Sequence, residues 1–450
     1  MHNRFSSLIV MFALLLALPV MAQVAAPSGA APAKKTVITA ASVEAATKAI
    51  LEQVGEMRQI KILSPVKSGA KSRAEIEQMV IRNFNEETRP GELEASGKAL
   101  RAFGLVPPGF QLKEFTIKLL TEQVAGFYEP KAKEFFIADW NDLDAQKPVI
   151  AHELTHALQD QNFNLRRFEK WPAGDGDREM AIHALIEGDA TVLMYDYMLK
   201  PMGRSVAQLP MTISKLAEAG MALAGGDDVK MLKAAPAALR ESLIFPYIYG
   251  ADFVQAMLKK QGWAGVSQAF TELPQSTEQI LHFDKYTARE MPVKVQLNDL
   301  SATLGPGWKR LLTDINGEFG YLMILAEYVP KDQARQAAAG WGGDQYALYE
   351  RASDGHLLIV QRSVWDTAED ATEFVNAYVA RTQKRYPELK AREEKSAGQE
   401  SFITSDGITL IERQGQSVLI IEGLPEALAA KAAGISAALR PEAKPQSQVK

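Results

Sequence analysis

Two of the six histidines, His152 and His156, lie four positions apart in "AHELTHALQD" (151–160), with Glu153 directly after the first. On a helix, residues at this spacing lie on one face, so both imidazoles can point at one metal ion, and zinc accepts them readily. Glu153 is one step further around the helix, where its carboxylate can reach a water on the metal and act as a general base. The spacing therefore predicts a catalytic zinc site; the alternative is a chance grouping on an ordinary core helix.

A catalytic zinc usually has three protein ligands and an open fourth position, so one more ligand must come from elsewhere. Glu187 in "ALIEGDATV" is the best candidate, because a carboxylate in such an apolar stretch needs a partner. Gly188 beside it predicts a close approach of this helix to the helix with His152. Two alternatives stay open. In the first, Glu187 faces solvent and binds no metal. In the second, His183, one turn earlier, is either the third ligand or a side chain that hydrogen-bonds a ligand.

The "HELTH" run, followed by a helix with "EGDA", resembles the zincin metallopeptidases of the gluzincin type, in which a downstream glutamate is the third ligand. The resemblance covers roughly residues 110–290. It implies one zinc per chain, held by His152, His156 and Glu187, with Glu153 as the catalytic group.

The segment "VAGFYEPKAKEFFIADW" (124–140) is similar to the sheet edge along which such enzymes lay an extended peptide. Thermolysin-like enzymes have an aspartate four residues after the third ligand, and this chain departs from that pattern with Thr191. The longer runs "HELTHALQDQNFNL", "FPYIYGADFV" and "STEQILHFDKY" resemble uncharacterised exported bacterial proteins that carry this motif.

Further polar groups are expected around the metal. Asp160, one turn after His156, can hold an imidazole N–H, or it is a solvated charge at the helix end. Asp189 lies about 200° around the helix from Glu187 and is expected to bind a neighbouring helix instead. The oxyanion formed in hydrolysis needs a donor besides the metal. Three candidates for this donor, each with the alternative of a purely structural role, are Tyr247, Tyr249 and His282.

The elements around the motif follow from local signals. β-prone residues over Val124–Tyr128 and Glu134–Ala138 predict a hairpin across "EPKAK". The motif helix is expected from about Pro148, in its first turn, to Asp160. A loop over 162–177 and a second helix that begins near Asp177 and carries Glu187 complete this part.

The whole chain is predicted to be α+β. A mainly helical zincin-like catalytic domain (36–300), with a small hairpin sheet before the HExxH helix, precedes a smaller α+β domain (301–440). Helical patterns after capping serines cover about 40–103 and end at "GLVPPGF", and 200–290 is expected to be helical with breaks at "AGGDD" and "LIFPYIYGADF". In the second domain the order strand–strand–helix is expected twice, after a glycine-rich turn in "GWGGDQY" (340–346).

The chain ends and the composition place the protein in a class. Residues 1–22 have the pattern of a secretory signal peptide, with an uncleaved anchor as the alternative, so a periplasmic or secreted protein is expected. Residues 23–35 predict a flexible leader and 441–450 a disordered tail. The net charge of −5 gives no footprint for nucleic acid, and the absence of cysteine excludes disulfides and thiol chemistry. No second apolar run predicts a membrane span.

These patterns favour an exported zinc-dependent metallopeptidase that acts on a peptide or protein substrate. Two alternatives stay open: a zinc-containing binding or scaffold protein of the cell envelope without peptidase activity, and a zinc amidase that acts on cell-wall peptides. Retention of the base Glu153 argues against the binding protein, because a binding module has no need of it.

Overall fold

The computed structural model describes residues 38–88, 91–123, 126–168, 174–223, 230–392 and 398–439. They form an α+β structure with a large helical region and a separate β-sheet domain, as the sequence predicts. The expected signal peptide, leader and tail lie outside the described residues. Within the described part, no helix is long and apolar enough to cross a bilayer.

The helical region begins with four helices and a strand. They are α1 (Ala40–Arg58), β1 (Lys67–Lys71), α2 (Arg73–Glu87), α3 (Glu92–Phe103) and α4 (Leu112–Gln123). Ser72 caps α2 as predicted. The predicted cap of α1, Ser42, is instead the third residue of the helix, and its side chain completes a capping box with the actual N-cap, Thr39. The predicted break after residue 103 is confirmed.

A three-stranded sheet precedes the helix with the motif. The predicted hairpin is present as β2 (Gly126–Glu129) and β3 (Glu134–Ala138). Strand β1 pairs in parallel with the other side of β3, so β2 lies at an edge of the sheet in the order β1-β3-β2. The sequence did not predict β1, because "KSGAK" lacks the apolar alternation that marks a strand.

The motif helix α5 (Leu143–Phe163) begins earlier than predicted. Asp142 caps it by accepting hydrogen bonds from the backbone N–H groups of Asp144 and Ala145, at 3.0 and 3.2 Å. Pro148 therefore lies inside the helix and not in its first turn. After the loop comes α6 (Gly176–Leu199), which carries Glu187. This helix begins one residue before the predicted start near Asp177.

The remaining helices of this region are α7 (Ile213–Leu223), α8 (Lys230–Ala234), α9 (Ala237–Ala269), α10 (Thr277–Leu281), α11 (Phe283–Thr287) and α12 (Ser301–Leu304). The predicted break in "LIFPYIYGADF" is wrong, since α9 continues through Pro246 and Gly250 and departs from helical geometry at Gly262. "AGGDD" (224–228) lies outside the described residues.

Close packing of two helix backbones explains the glycine in the middle of α9. A Cβ at Gly250 would lie 2.0 Å from the Ala184 carbonyl oxygen, and one at Gly188 would lie 2.2 Å from Gly250. Gly188 therefore faces α9, and the prediction that it faces the His152 helix is wrong. Both glycines let α6 and α9 approach more closely than any side chain would permit.

The sheet domain contains a seven-stranded antiparallel sheet and four helices. Its elements are β4 (Trp308–Asp314), α13 (Gly317–Ala326), α14 (Lys331–Ala338), β5 (Trp341–Arg351), β6 (Leu357–Trp365), α15 (Ala368–Arg385), β7 (Lys390–Ala391), β8 (Gln399–Thr404), β9 (Gly407–Gln414), β10 (Ser417–Leu424) and α16 (Ala432–Leu439).

In the strand order β4-β5-β6-β10-β9-β8-β7, the two halves of the sheet meet where β6 pairs with β10. The predicted strand–strand–helix order is present once, as β5, β6 and α15, whereas four strands, β7 to β10, precede α16. The sequence did not predict the unit β4, α13 and α14 that precedes β5. The "GWGGDQY" segment is also different from the prediction, because β5 begins at Trp341. Gly343 lies in the strand, where a Cβ would be 2.2 Å from the carbonyl oxygen of Val293.

The two regions share one hydrophobic core. On one face of the large sheet, every second strand residue packs against α13 and α15. These residues belong to the same hydrophobic cluster as the core residues of α5, α6 and α9. Phe245 on α9 and Phe319 on α13 meet with ring centroids 4.2 Å apart. The opposite face of the sheet packs separately against α12 and α16.

Candidate metal centre

Helices α5 and α6 bring His152, His156 and Glu187 together in the interior. The two Nε2 atoms are 3.1 Å apart. Glu187 Oε2 lies 3.2 Å from Nε2 of His152 and 3.3 Å from Nε2 of His156. The three side chains are at most 5 % exposed. Three atoms of the types that zinc binds thus converge on one point from two helices.

These separations match what a zinc ion needs. Bonds of about 2.0–2.1 Å at tetrahedral angles put neighbouring ligand atoms about 3.3 Å apart. His152 also hydrogen-bonds the Ala190 backbone, and Nδ1 of His156 lies 2.9 Å from Oε1 of Gln159. Two Nε2 atoms and a carboxylate thus face one another, and a cation between them would satisfy all three. The residues therefore fit a zinc ion.

The two histidines and Glu187 also shift one another's pKa. Burial by itself would raise the pKa of Glu187, but the two histidines outweigh burial and lower that pKa. Burial lowers the pKa of His156, and the nearby Glu187 charge more than reverses this effect. Each group thus favours the ionic form of its neighbour.

Glu153 is fully buried next to the two histidines. Its Oε2 accepts a hydrogen bond of 2.7 Å from the backbone N–H of Tyr128 on β2. This bond shows that the Tyr128 N–H points away from β3 and toward α5. It links the carboxylate to the edge strand, a contact that the sequence did not predict.

Of the three candidate oxyanion donors, Tyr247 contacts a candidate metal ligand. Its ring stacks on that of His152, with centroids 6.1 Å apart and planes at 23°. Burial and the nearby carboxylates of Glu187 and Glu153 raise the pKa of Tyr247 well above its ordinary value, so it keeps its proton. Tyr249 is placed differently and packs its ring against Phe245.

His282 is held by the sheet domain. Its Nε2 lies 2.8 Å from Oε1 of Glu318 on α13, and 37 % of its side chain is exposed. This ion pair gives His282 a structural partner. His356, in the sheet domain, has Nε2 2.7 Å from the carbonyl oxygen of Gly423.

His183 lies one turn before Glu187 and is buried, but it is not in the group that converges on the metal position. Burial lowers its pKa to about 4 despite the Glu187 charge, so the imidazole is neutral. Its Nδ1 has no hydrogen-bond partner among the described residues. The geometry thus favours Glu187 over His183 as the third ligand.

The two aspartates near the site have different partners. Asp160 does not hold an imidazole; it accepts hydrogen bonds from the Tyr128 hydroxyl and the Leu165 N–H, both at 3.1 Å. Asp189 binds a neighbouring helix as predicted, since Arg58 Nε on α1 lies 2.6 Å from it. Gln159, which contacts His156, was not predicted. Its position three residues after His156 on the same helix was the available signal.

A second group that could ligate a metal lies between α10 and the sheet domain. It contains Glu278, Glu290 and Asp366. The ammonium group of Lys285 lies 2.7, 3.0 and 2.6 Å from their carboxylates, respectively. A lysine thus provides the positive charge here, and the group is an ion-pair cluster.

One family model matches part of the sheet domain. A model described as a domain of unknown function (DUF8575) matches residues 309–433, from β4 into α16. The match does not include α5 or α6. No curated protein and no solved structure matches the chain.

Proposed function

We propose that the protein is an exported zinc-dependent metallopeptidase. The observation that carries this proposal is the convergence of His152 Nε2, His156 Nε2 and Glu187 Oε2 at 3.1–3.3 Å, with the Glu153 carboxylate beside them. Three ligands leave a fourth position for water and substrate, which is the arrangement of catalytic and not of structural zinc. The export part of the proposal rests on the signal-peptide pattern of residues 1–22.

The residues of the chain have separate tasks in hydrolysis. A bound zinc ion would polarise the scissile carbonyl and make its water more acidic. Glu153 accepts the proton of the attacking water and then delivers it to the leaving amine. Tyr247, whose ring stacks on that of His152 and whose raised pKa keeps it protonated, would donate a hydrogen bond to the oxyanion.

The edge strand β2 supports a peptide as the substrate. It pairs with β3 on one side, and its Tyr128 N–H faces α5. Because Glu153 already binds the Tyr128 N–H, an extended peptide would pair with the other outward-facing backbone groups of β2, and its scissile bond would then lie near Glu153. This places recognition of the substrate backbone next to the proposed base.

The base is tested with the purified protein from residue 23 onward, loaded with one zinc. We expect Glu153→Gln to lower hydrolysis of a quenched fluorescent peptide pool by about 10²–10⁴-fold while zinc content stays at one per chain. Glu92→Gln, also a buried glutamate but on α3, is the matched control and keeps full activity. Undiminished turnover in Glu153→Gln would refute the mechanism.

The ligands are tested by zinc titration after chelation. Glu187→Ala should lose tight binding, because it removes one of three ligands, whereas His183→Ala should retain it. Equal affinity of Glu187→Ala and wild type would exclude Glu187 as a ligand. Tight zinc without hydrolysis of peptides would favour the envelope binding protein, and activity confined to peptidoglycan fragments would favour the amidase.

A further inference from the structure

A continuous chain of buried polar contacts leads from the metal position to the N-terminal helix. Nδ1 of His156 lies 2.9 Å from Oε1 of Gln159. The amide nitrogen of Gln159 donates to the Ile186 carbonyl at 3.0 Å and to Oδ2 of Asp189 at 2.9 Å. Asp189 Oδ1 in turn accepts from Arg58 Nε at 2.6 Å. Gln159, Asp189 and Arg58 all have no exposed surface.

The contacts determine which nitrogen of His156 carries the proton. Both partners of the Gln159 amide nitrogen, a carbonyl and a carboxylate, can only accept hydrogen bonds. The amide oxygen must therefore face His156, and it too can only accept. Nδ1 of His156 carries the hydrogen, so the lone pair of Nε2 in the neutral ring points at Glu187 and the metal position.

Arg58 anchors this arrangement from α1. Its guanidinium also donates to the Trp263 carbonyl and the Ser267 hydroxyl on α9, at 3.3 and 3.0 Å. It lies over the Trp263 ring, 4.8 Å from the centroid. A buried carboxylate such as Asp189 needs a cation, and the N-terminal helix supplies it. The chain of contacts thus ties together α1, α5, α6 and α9.

We propose that Gln159, Asp189 and Arg58 are positioning residues that hold His156 in its metal-binding tautomer, so that α1 is a working part of the zinc site. The proposal rests on the zinc site proposed above. The link is direct, because Gln159 contacts both His156 and Asp189. Residues 40–58 are then an integral part of the site and not a removable pro-segment.

The test compares two buried glutamines of the same helix. Gln146, 3 % exposed, donates to the carbonyls of Ala138 and Asn141 and has no contact with a metal residue. We expect Gln159→Met to weaken zinc binding by about 10- to 100-fold, as loss of such outer partners does. Gln146→Met should leave zinc affinity unchanged. Zinc affinity is measured by competition with a chromophoric chelator on the full mature chain, without reference to activity.

A second pair covers the case in which Gln159→Met fails to fold. Arg58→Lys retains the charge but loses the guanidinium fork, and we expect several-fold weaker zinc binding. Arg381→Lys is its control, because Arg381 is equally buried and pairs with Glu422 at 2.7 Å in the sheet domain.

The outcomes separate the two proposals. Wild-type zinc affinity in the folded Gln159 or Arg58 variant overturns the positioning role and leaves the zinc site intact. A wild-type protein that binds no zinc overturns the proposed function, and the positioning role with it. Weaker binding in both variants, with both controls unchanged, is the expected result.

Discussion

The close approach of α6 and α9 predicts that Gly188→Ala destabilises the protein although alanine is the better helix former. The new Cβ would lie 2.2 Å from both the C and O atoms of Gly250. An ordinary contact needs about 3.4–4 Å, so the helices would have to separate by more than about 1 Å. Overpacking of this kind costs about 1–3 kcal/mol, and here the neighbour is backbone that cannot swing aside.

The opposing helix-propensity gain is about 1 kcal/mol, so we expect a net loss of about 2 kcal/mol. Gly434→Ala is the control, because Gly434 is exposed in α16 and a Cβ there meets nothing within 4 Å. It should stabilise by up to about 1 kcal/mol. The assay is urea unfolding of chelator-treated protein, so that zinc binding does not contribute.

Opposite signs for the two substitutions are the result that the structure requires. If Gly188→Ala stabilised the protein as much as Gly434→Ala, the helices would not be in backbone contact. Gly188 would then serve some purpose other than close packing of α6 against α9.

Two further predictions concern other parts of the molecule. Burial raises the pKa of Asp314 to about 7 against its backbone donors. The folded state then holds a proton that the unfolded state releases, and stability falls as pH rises from about 4 to 7. Asp314→Asn should therefore stabilise relative to wild type at pH 8 and not at pH 4, and equal urea midpoint shifts at both would contradict this. Tyr247→Phe should lower turnover by about 10²-fold with zinc affinity unchanged, and more than Tyr249→Phe does in the same assay; equal effects would remove the assignment of the oxyanion donor to Tyr247.

The sequence was informative where one residue type at one spacing has few physical solutions. Two histidines at i and i+4 must share a helix face, and a carboxylate in an apolar helix must find a partner. The structure brings His152, His156 and Glu187 together as those rules require. The hairpin before the motif helix and the separate sheet domain followed from apolar periodicity in the same way.

The sequence could not predict a contact between residues far apart in the chain, or a contact made with the backbone of another element. Arg58 and Asp189 are 131 positions apart, and no local pattern joins them. A glycine in a helix reports a close neighbour but not which one, so Gly188 was assigned to the wrong helix. Strand β1 has too few apolar residues to be recognised, because its place in the sheet comes from pairing with β3 and not from burial.

The number of buried charges explains why α1 belongs to the site. Three buried carboxylates act on His156 directly or through Gln159, and they belong to Glu153, Glu187 and Asp189. Arg58 neutralises one of them, which leaves two negative charges for a divalent cation to balance. A site without α1 would leave three carboxylates around one dication, with Asp189 buried and unpaired behind Gln159. The N-terminal helix thus completes the charge balance that the proposed zinc site requires, in which His152 and His156 would be neutral ligands.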